Sequence, residues 1–151
     1  QKSTEYHVMW RVNFEPGEVK VVAYNAEGKP AEEKIVRTAG KADHLVLSAN
    51  REALKADGDD LVYITVQAAD KNGNIVPTDS REVKFAVKGA GKFRAAANGD
   101  PTSLRLFHLP ATDLFSGAAT AIVQADASKG SVTLEAKAKG LKGAKITIPV
   151  K

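Results

Sequence analysis

LKADGDDLVYITVQAADKNGNIVP, residues 54–77, spells out one strand and the turns at both of its ends. Val62, Ile64, Val66 and Ala68 alternate with Tyr63, Thr65 and Gln67. A period of two sends one set to a buried face and the other toward solvent, the pattern of a half-buried antiparallel strand. Ahead of it, Ala56-Asp57-Gly58-Asp59-Asp60 is turn chemistry. Behind it, Asp70-Lys71-Asn72-Gly73-Asn74 places Gly73 where a hairpin loop needs a left-handed residue, and Ile75-Val76-Pro77 begins the return.

The same alternation recurs on both sides. Leu45, Leu47 and Ala49 form a strand before the central one; Val83, Phe85 and Val87 form one after it, broken by Gly89-Ala90-Gly91. Ala118 to Ala125 follows, then Val132, Leu134, Ala136 and Ala138, then Ile146, Ile148 and Val150. Pro149 cannot donate to a ladder, so the last strand is expected at an edge. Strands at this spacing predict an immunoglobulin-like antiparallel β-sandwich over residues 41–151. Asn98 to Gly117 reads as irregular, and its Leu104, Leu106, Phe107, Leu109, Leu114 and Phe115 are apolar enough to be expected to pack over the sandwich.

Upstream, Trp10, Val12 and Phe14 alternate with Arg11 and Asn13, predicting a strand over Val8 to Phe14. Pro16-Gly17 suits a type II turn into a strand over Glu18 to Tyr24, and Asn25-Ala26-Glu27-Gly28 leads to a third over Glu33 to Thr38. Residues 1–40 are thus expected to be a three-stranded end of a domain, separated from the sandwich by the hinge Ala39-Gly40-Lys41. The chain opens QKSTEY without a methionine and is read as a piece of a longer protein.

Composition narrows the function classes. The 151 residues are 43% hydrophobic, enough for an ordinary core, and none is cysteine, which removes disulfides, thiol catalysis and thiolate metal sites. No apolar run reaches the roughly 18 residues of a spanning helix. Net charge is +4, carried by residues 41–151, and from Ser128 to Lys151 six lysines face Glu135 alone. Lys137, Lys139, Lys142 and Lys145 are read as solvating a strand face and guarding an edge. Nucleic acid is not expected as a partner, because no arginine cluster or interleaved aromatic accompanies them.

Candidate chemistry is thin. His7, His44 and His108 lie far apart, without metal-ligand spacing. Asp70 to Asn74 imitates the start of a calcium loop, yet the closing glutamate position holds Arg81. Asp57, Asp59 and Asp60 read as turn residues rather than cation ligands. A glycosidase needs two carboxylates facing each other about 5 to 10 Å apart, and the acids here fall in turns and on outward strand positions. Phe107 and Phe115 could form a sugar-stacking platform, although such platforms more often use exposed Trp and Tyr. No catalytic, cofactor-binding or metal-binding residue is therefore expected.

In order and spacing the turns resemble a known family. Trp10-x-Val12 with Phe14-Glu15-Pro16-Gly17-Glu18-Val19-Lys20-Val21-Val22-Ala23-Tyr24, then Thr38-Ala39-Gly40-Lys41, resembles the end of an immunoglobulin-like domain behind the catalytic barrel of bacterial, Bacteroides-type glycoside hydrolase family 2 enzymes, mostly β-galactosidases. Ala56 to Leu61, Asp70 to Pro77, Phe85-x-Val87-x-Gly89-x-Gly91, Asn98 to Ser103, Phe115-x-Gly117 and Gly140-Leu141 are similar to their next, C-terminal domain, and more loosely to invasin-type repeats.

The resemblance implies an all-β chain: an incomplete immunoglobulin-like domain over 1–40, its first strands missing, followed by a complete sandwich over 41–151. It implies a non-catalytic accessory region of a periplasmic or extracellular glycosidase, with a structural or substrate-entrance role. The catalytic glutamates belong to a barrel this chain lacks, and no cofactor is implied. The barrel and preceding β-domains are the implied partners. Glycan binding and self-association through residues 1–40 are further expectations, and a carbohydrate-binding module or an adhesin-type surface repeat is the alternative.

Overall fold

A computed structural model describes residues 7–151, so the start of the 1–40 segment lies outside the described residues. The chain divides into two units, residues 1–38 and 39–151.

In the larger unit the alternating runs become strands wherever the sequence carries a clean period of two. β3 (Ala42–Ala49) pairs with β4 (Leu61–Asp70), and β4 with β8 (Ala118–Ala125), which in turn pairs with β6 (Gly91–Ala97). The second sheet runs β10 (Ala144–Val150), β9 (Gly130–Ala138), β5 (Glu82–Gly89), β7 (Ala111–Asp113). Every ladder is antiparallel. Val62, Ile64 and Val66 of one sheet and Val83, Leu134 and Ile148 of the other form the buried core, with Phe85 and Phe93 stacked at 5.9 Å. Burial of each such side chain contributes about 1.5–3 kcal/mol.

β10 is the outer strand of its sheet, the position where a proline, lacking an N–H for the ladder, is tolerated. The two sheets are tied together along this side. Leu45 N–H donates to Lys142 C=O, Lys142 N–H to Asp43 C=O, and Leu54 N–H to Pro149 C=O.

Three expectations are corrected. β6 and β7 occupy stretches without a readable strand pattern. GKFRAAA carries one strong strand former, and Ala96 and Ala97 become strand only because β8 offers its edge, with a bulge between Phe93 and Ala95. Secondly, of the apolar residues expected to cover the sandwich only Leu114 does so, at 2% exposure, while Leu104 stands 96% and Phe107 66% exposed. Arg105 is the physical reason: its guanidinium bonds Glu82 at 2.7 Å and Asp113 at 3.1 Å, so the segment lies on a polar anchor instead of on its leucines.

The third correction concerns the smaller unit. β1 (Glu18–Tyr24) and β2 (Pro30–Arg37) form a two-stranded antiparallel hairpin, with Val19 opposite Val36 and Val22 opposite Glu33. Val8 to Phe14 is not a strand, so the expected three-stranded meander is two-stranded among the described residues. Alternation in Trp10, Val12 and Phe14 supplies a tendency, but a strand also needs a partner edge, and among the described residues none pairs with this segment. Pro16-Gly17 accordingly leads into β1 and does not join two strands.

Candidate functional site

The loops that could have held chemistry are built by their own carboxylates. Asp57 Oδ1 accepts the N–H groups of Asp59 and Asp60 at 2.9 and 2.8 Å. Asp60 accepts from Lys55 N–H at 2.8 Å and from the Arg51 guanidinium at 2.7 Å. These bonds hold both acids below the usual carboxylate range, for Asp57 chiefly through the Asp59 N–H and for Asp60 chiefly through the Lys55 N–H. The triplet closes a turn, with Gly58 at φ 84° and its carbonyl accepting from the Gln124 side chain.

Asp70 does the same more completely. Only 3% exposed, it accepts from Gly40 N–H at 2.8 Å, from Asn72 and Asn74 N–H at 2.9 Å, and from the Asn74 side-chain amide at 3.1 Å. The Gly40 N–H, followed by the Asn74 amide, draws its pKa from 3.8 down to about 2. A group whose folded pKa is depressed contributes stability above its unfolded pKa and loses it as pH falls toward the folded value. Between pH 3.8 and about 2 the native chain should therefore lose stability that an Asp70→Asn variant does not have to lose. Urea unfolding at a series of pH values is expected to show the variant less stable at neutral pH and with a shallower acid slope. Parallel slopes would contradict this role.

The remaining polar clusters are cross-links. Arg81 embraces Asp79 through Nε at 2.9 Å and Nη2 at 2.7 Å, and donates to Lys139 C=O at 3.0 Å. Asp43 is held below its ordinary range first by Lys142 and then by His44. The Arg105 guanidinium lowers the Glu82 carboxyl. A general acid at neutral pH requires the opposite shift, a carboxyl pushed up by burial or a like charge. Among the described residues no group of His, Asp and Glu could hold a metal ion.

Of the lysines read as a solvating set, Lys137 and Lys145 stand on the outer face of β9 and β10, while Lys139 and Lys142 lie in the connection between them. Phe107 and Phe115 are both exposed, as a stacking platform would require. What sequence reasoning missed is a contrast between the two outer faces. The face of β9 and β5 sets Lys84 opposite Lys137, whereas the face of β4 and β8 sets Thr65 opposite Thr120 and Tyr63 opposite Ile122. The outward residues are legible in the period of two, but only the register shows which of them are neighbours.

Comparison with known proteins extends the picture. The model of glycoside hydrolase family 2 C-terminal domain 5 matches residues 45–147, and that of a domain of unknown function matches residues 1–32. The β-galactosidase BoGH2A of Bacteroides ovatus is 39% identical over 142 residues, covering 94% of this chain and 17% of that protein. Among solved structures, a glycosyl hydrolase family 2 member from Bacteroides cellulosilyticus superposes with a TM-score of 0.85 at 32% identity, covering 94% of this chain and 18% of that one. A β-glycosidase from Bacteroides vulgatus gives 0.89 at 28% identity, covering 95% and 18%. The chain thus spans less than a fifth of the length of these relatives.

Proposed function

The chain belongs to the glycoside hydrolase family 2 C-terminal domain 5 family, and from this we propose that it is a non-catalytic accessory β-sandwich region of a larger glycosidase, a β-galactosidase by its likeness to BoGH2A. The observation that carries the non-catalytic part is the state of the carboxylates: every one with a resolved shift is lowered by hydrogen bonds that build the fold. None of these six is poised as a proton donor. The accessory role is structural or at the substrate entrance, and the parent acts in the periplasm or outside the cell. Assay of this chain against nitrophenyl β-galactoside and β-glucuronide is expected to give no turnover. Measurable hydrolysis at the purified chain would sink the reading.

A second reading has one observation in its favour. Exposed Phe107 and Phe115 could stack on sugar rings, as in a carbohydrate-binding module. Isothermal titration against galactans separates the two, since only the module produces saturable heat that Phe107→Ala removes.

The smaller unit supports a further part of the proposal. A lone two-stranded hairpin is marginal in water, and it leaves Trp10, Phe14 and Val36 exposed at 57, 80 and 63%. In the parent, preceding β-domains cover these residues. In the isolated chain a second copy is expected to do so, giving self-association through residues 1–40. Sedimentation at micromolar concentration should show a dimer or larger species with blue-shifted Trp10 fluorescence; a monomer with water-exposed Trp10 contradicts it.

A further inference from the structure

Charge is distributed unequally over the two outer faces of the sandwich. On β10-β9-β5-β7, Lys84 lies opposite Lys137, Lys145 opposite Glu135, and Lys88 opposite Thr133. Such a face is built for water. On β3-β4-β8-β6, the row Ser48, Thr65, Thr120, Ala97 crosses all four strands without a charge. The row on one side of it, Val46, Gln67, Ala118, is likewise neutral; on the other side Tyr63 and Ile122 are neutral, and the β6 bulge sets Arg94 and Ala95 together against Ile122. The strand charges nearest these rows stand on the two edge strands, Lys92 and Arg94 on β6 and Asp43 on β3. In a chain with 26% charged residues, two successive neutral rows, and a third charged only at its β6 end, set this face apart from the lysine-bearing one.

Beside this face runs the apolar strip of residues 104–109. Ala96 N–H of β6 donates to Phe107 C=O, and Phe85 N–H of β5 to Pro110 C=O, so the strip is bonded to both sheets. With Arg105 clamped between Glu82 and Asp113, it is held in place while Leu104, Leu106 and Phe107 project to solvent. Leucine and phenylalanine kept rigidly in water mark a surface prepared for a partner, since no ordering entropy is left to lose on docking.

We propose that the neutral face of β3-β4-β8-β6, together with the strip at residues 104–109, is the surface by which this sandwich docks on the remainder of its own parent polypeptide, against an uncharged and largely apolar patch. The inference rests on the accessory reading above and adds to it which side faces the rest of the enzyme. The occupant follows from length: relatives aligned along nearly all of this chain continue for more than four fifths of their own length outside it. The charge contrast then selects the face, because a lysine face loses more hydration on burial than a neutral one.

Hydroxyl-radical footprinting of the full-length parent, compared with the 151-residue chain, tests this. Tyr63, 44% exposed, and Phe107 are expected to be modified severalfold less in the parent, while acylation of Lys84, Lys137 and Lys145 is the same in both. Equal modification of Tyr63 and Phe107 overturns the proposal. So does protection that grows with concentration of the chain alone, which assigns the face to a second copy, or protection that appears only with added galactan, which assigns it to a glycan. A Thr65→Lys variant should leave the unfolding of the chain alone unchanged and restore Tyr63 modification in the parent. If that variant fails to fold, the wild-type footprint still decides. Turnover by the isolated chain would defeat the accessory reading without altering the footprint, so the two failures are distinguishable.

Discussion

Gly89→Ala is expected to destabilise the sandwich by on the order of 3 kcal/mol or more, well beyond the same change at Gly73. Both glycines have positive φ, 93° and 83°, so each substitution carries the left-handed cost of about 1–2 kcal/mol. At Gly73 that is the whole effect, since nothing lies within 4 Å of an added Cβ. At Gly89 the Cβ would run into the Ser131 carbonyl oxygen and crowd its carbonyl carbon at 3.2 Å. That carbonyl accepts the Ala90 N–H at 2.9 Å, and the next residue, Gly91, has the Gln124 carbonyl only 2.7 Å from its own Cβ position. Gly89-Ala90-Gly91 is where the chain passes from β5 in one sheet to β6 in the other, so the ladder cannot yield without loosening both. Urea midpoints for the two variants measure the difference; equal midpoints would show the crossover to be more plastic than its contacts imply.

Leu134→Ala is the second large effect, expected at about 2–5 kcal/mol. Leu134 is 1% exposed on β9, within the buried cluster that joins the two sheets. Truncation removes its transfer free energy and leaves a cavity that flanking strands, fixed on both sides by β10 and β5, can fill only in part. Phe107→Ala, by contrast, should change the stability of this chain by no more than about 0.5 kcal/mol, because its ring is mostly in water already. Chemical unfolding of both variants tests the pair. A Phe107→Ala loss as large as that of Leu134→Ala would restore the sequence expectation that residues 104–109 pack on the core.

How far the candidate site was legible can be followed through particular residues. Asp57, Asp60 and Asp70 are recognisable as loop builders because each bonds largely to N–H groups a few positions away, an arrangement local sequence specifies. The neutral face is different. Thr65 and Thr120 are 55 positions apart, and nothing in either neighbourhood announces the other until β4 and β8 pair. The lysine face likewise emerges only when β9 and β5 bring Lys137 beside Lys84.

By itself, the sequence determined that this chain is all-β, which residues of β3, β4, β5, β9 and β10 point inward, where the aspartate turns fall, and, through the order of those turns, its family. All of these are local properties, set by side-chain alternation and by hydrogen bonds between near neighbours. Only the tertiary structure decided that GKFRAAA and Ala111–Asp113 are strands, that Val8 to Phe14 is not, and that Leu104 and Phe107 stand in water. Each of those outcomes depends on a partner elsewhere in the chain: an open edge of β8, an edge missing beside Trp10, an arginine anchor on Glu82 and Asp113. A period of two says which way a side chain points, whereas a backbone group becomes strand only when another strand is there to complete its hydrogen bonds.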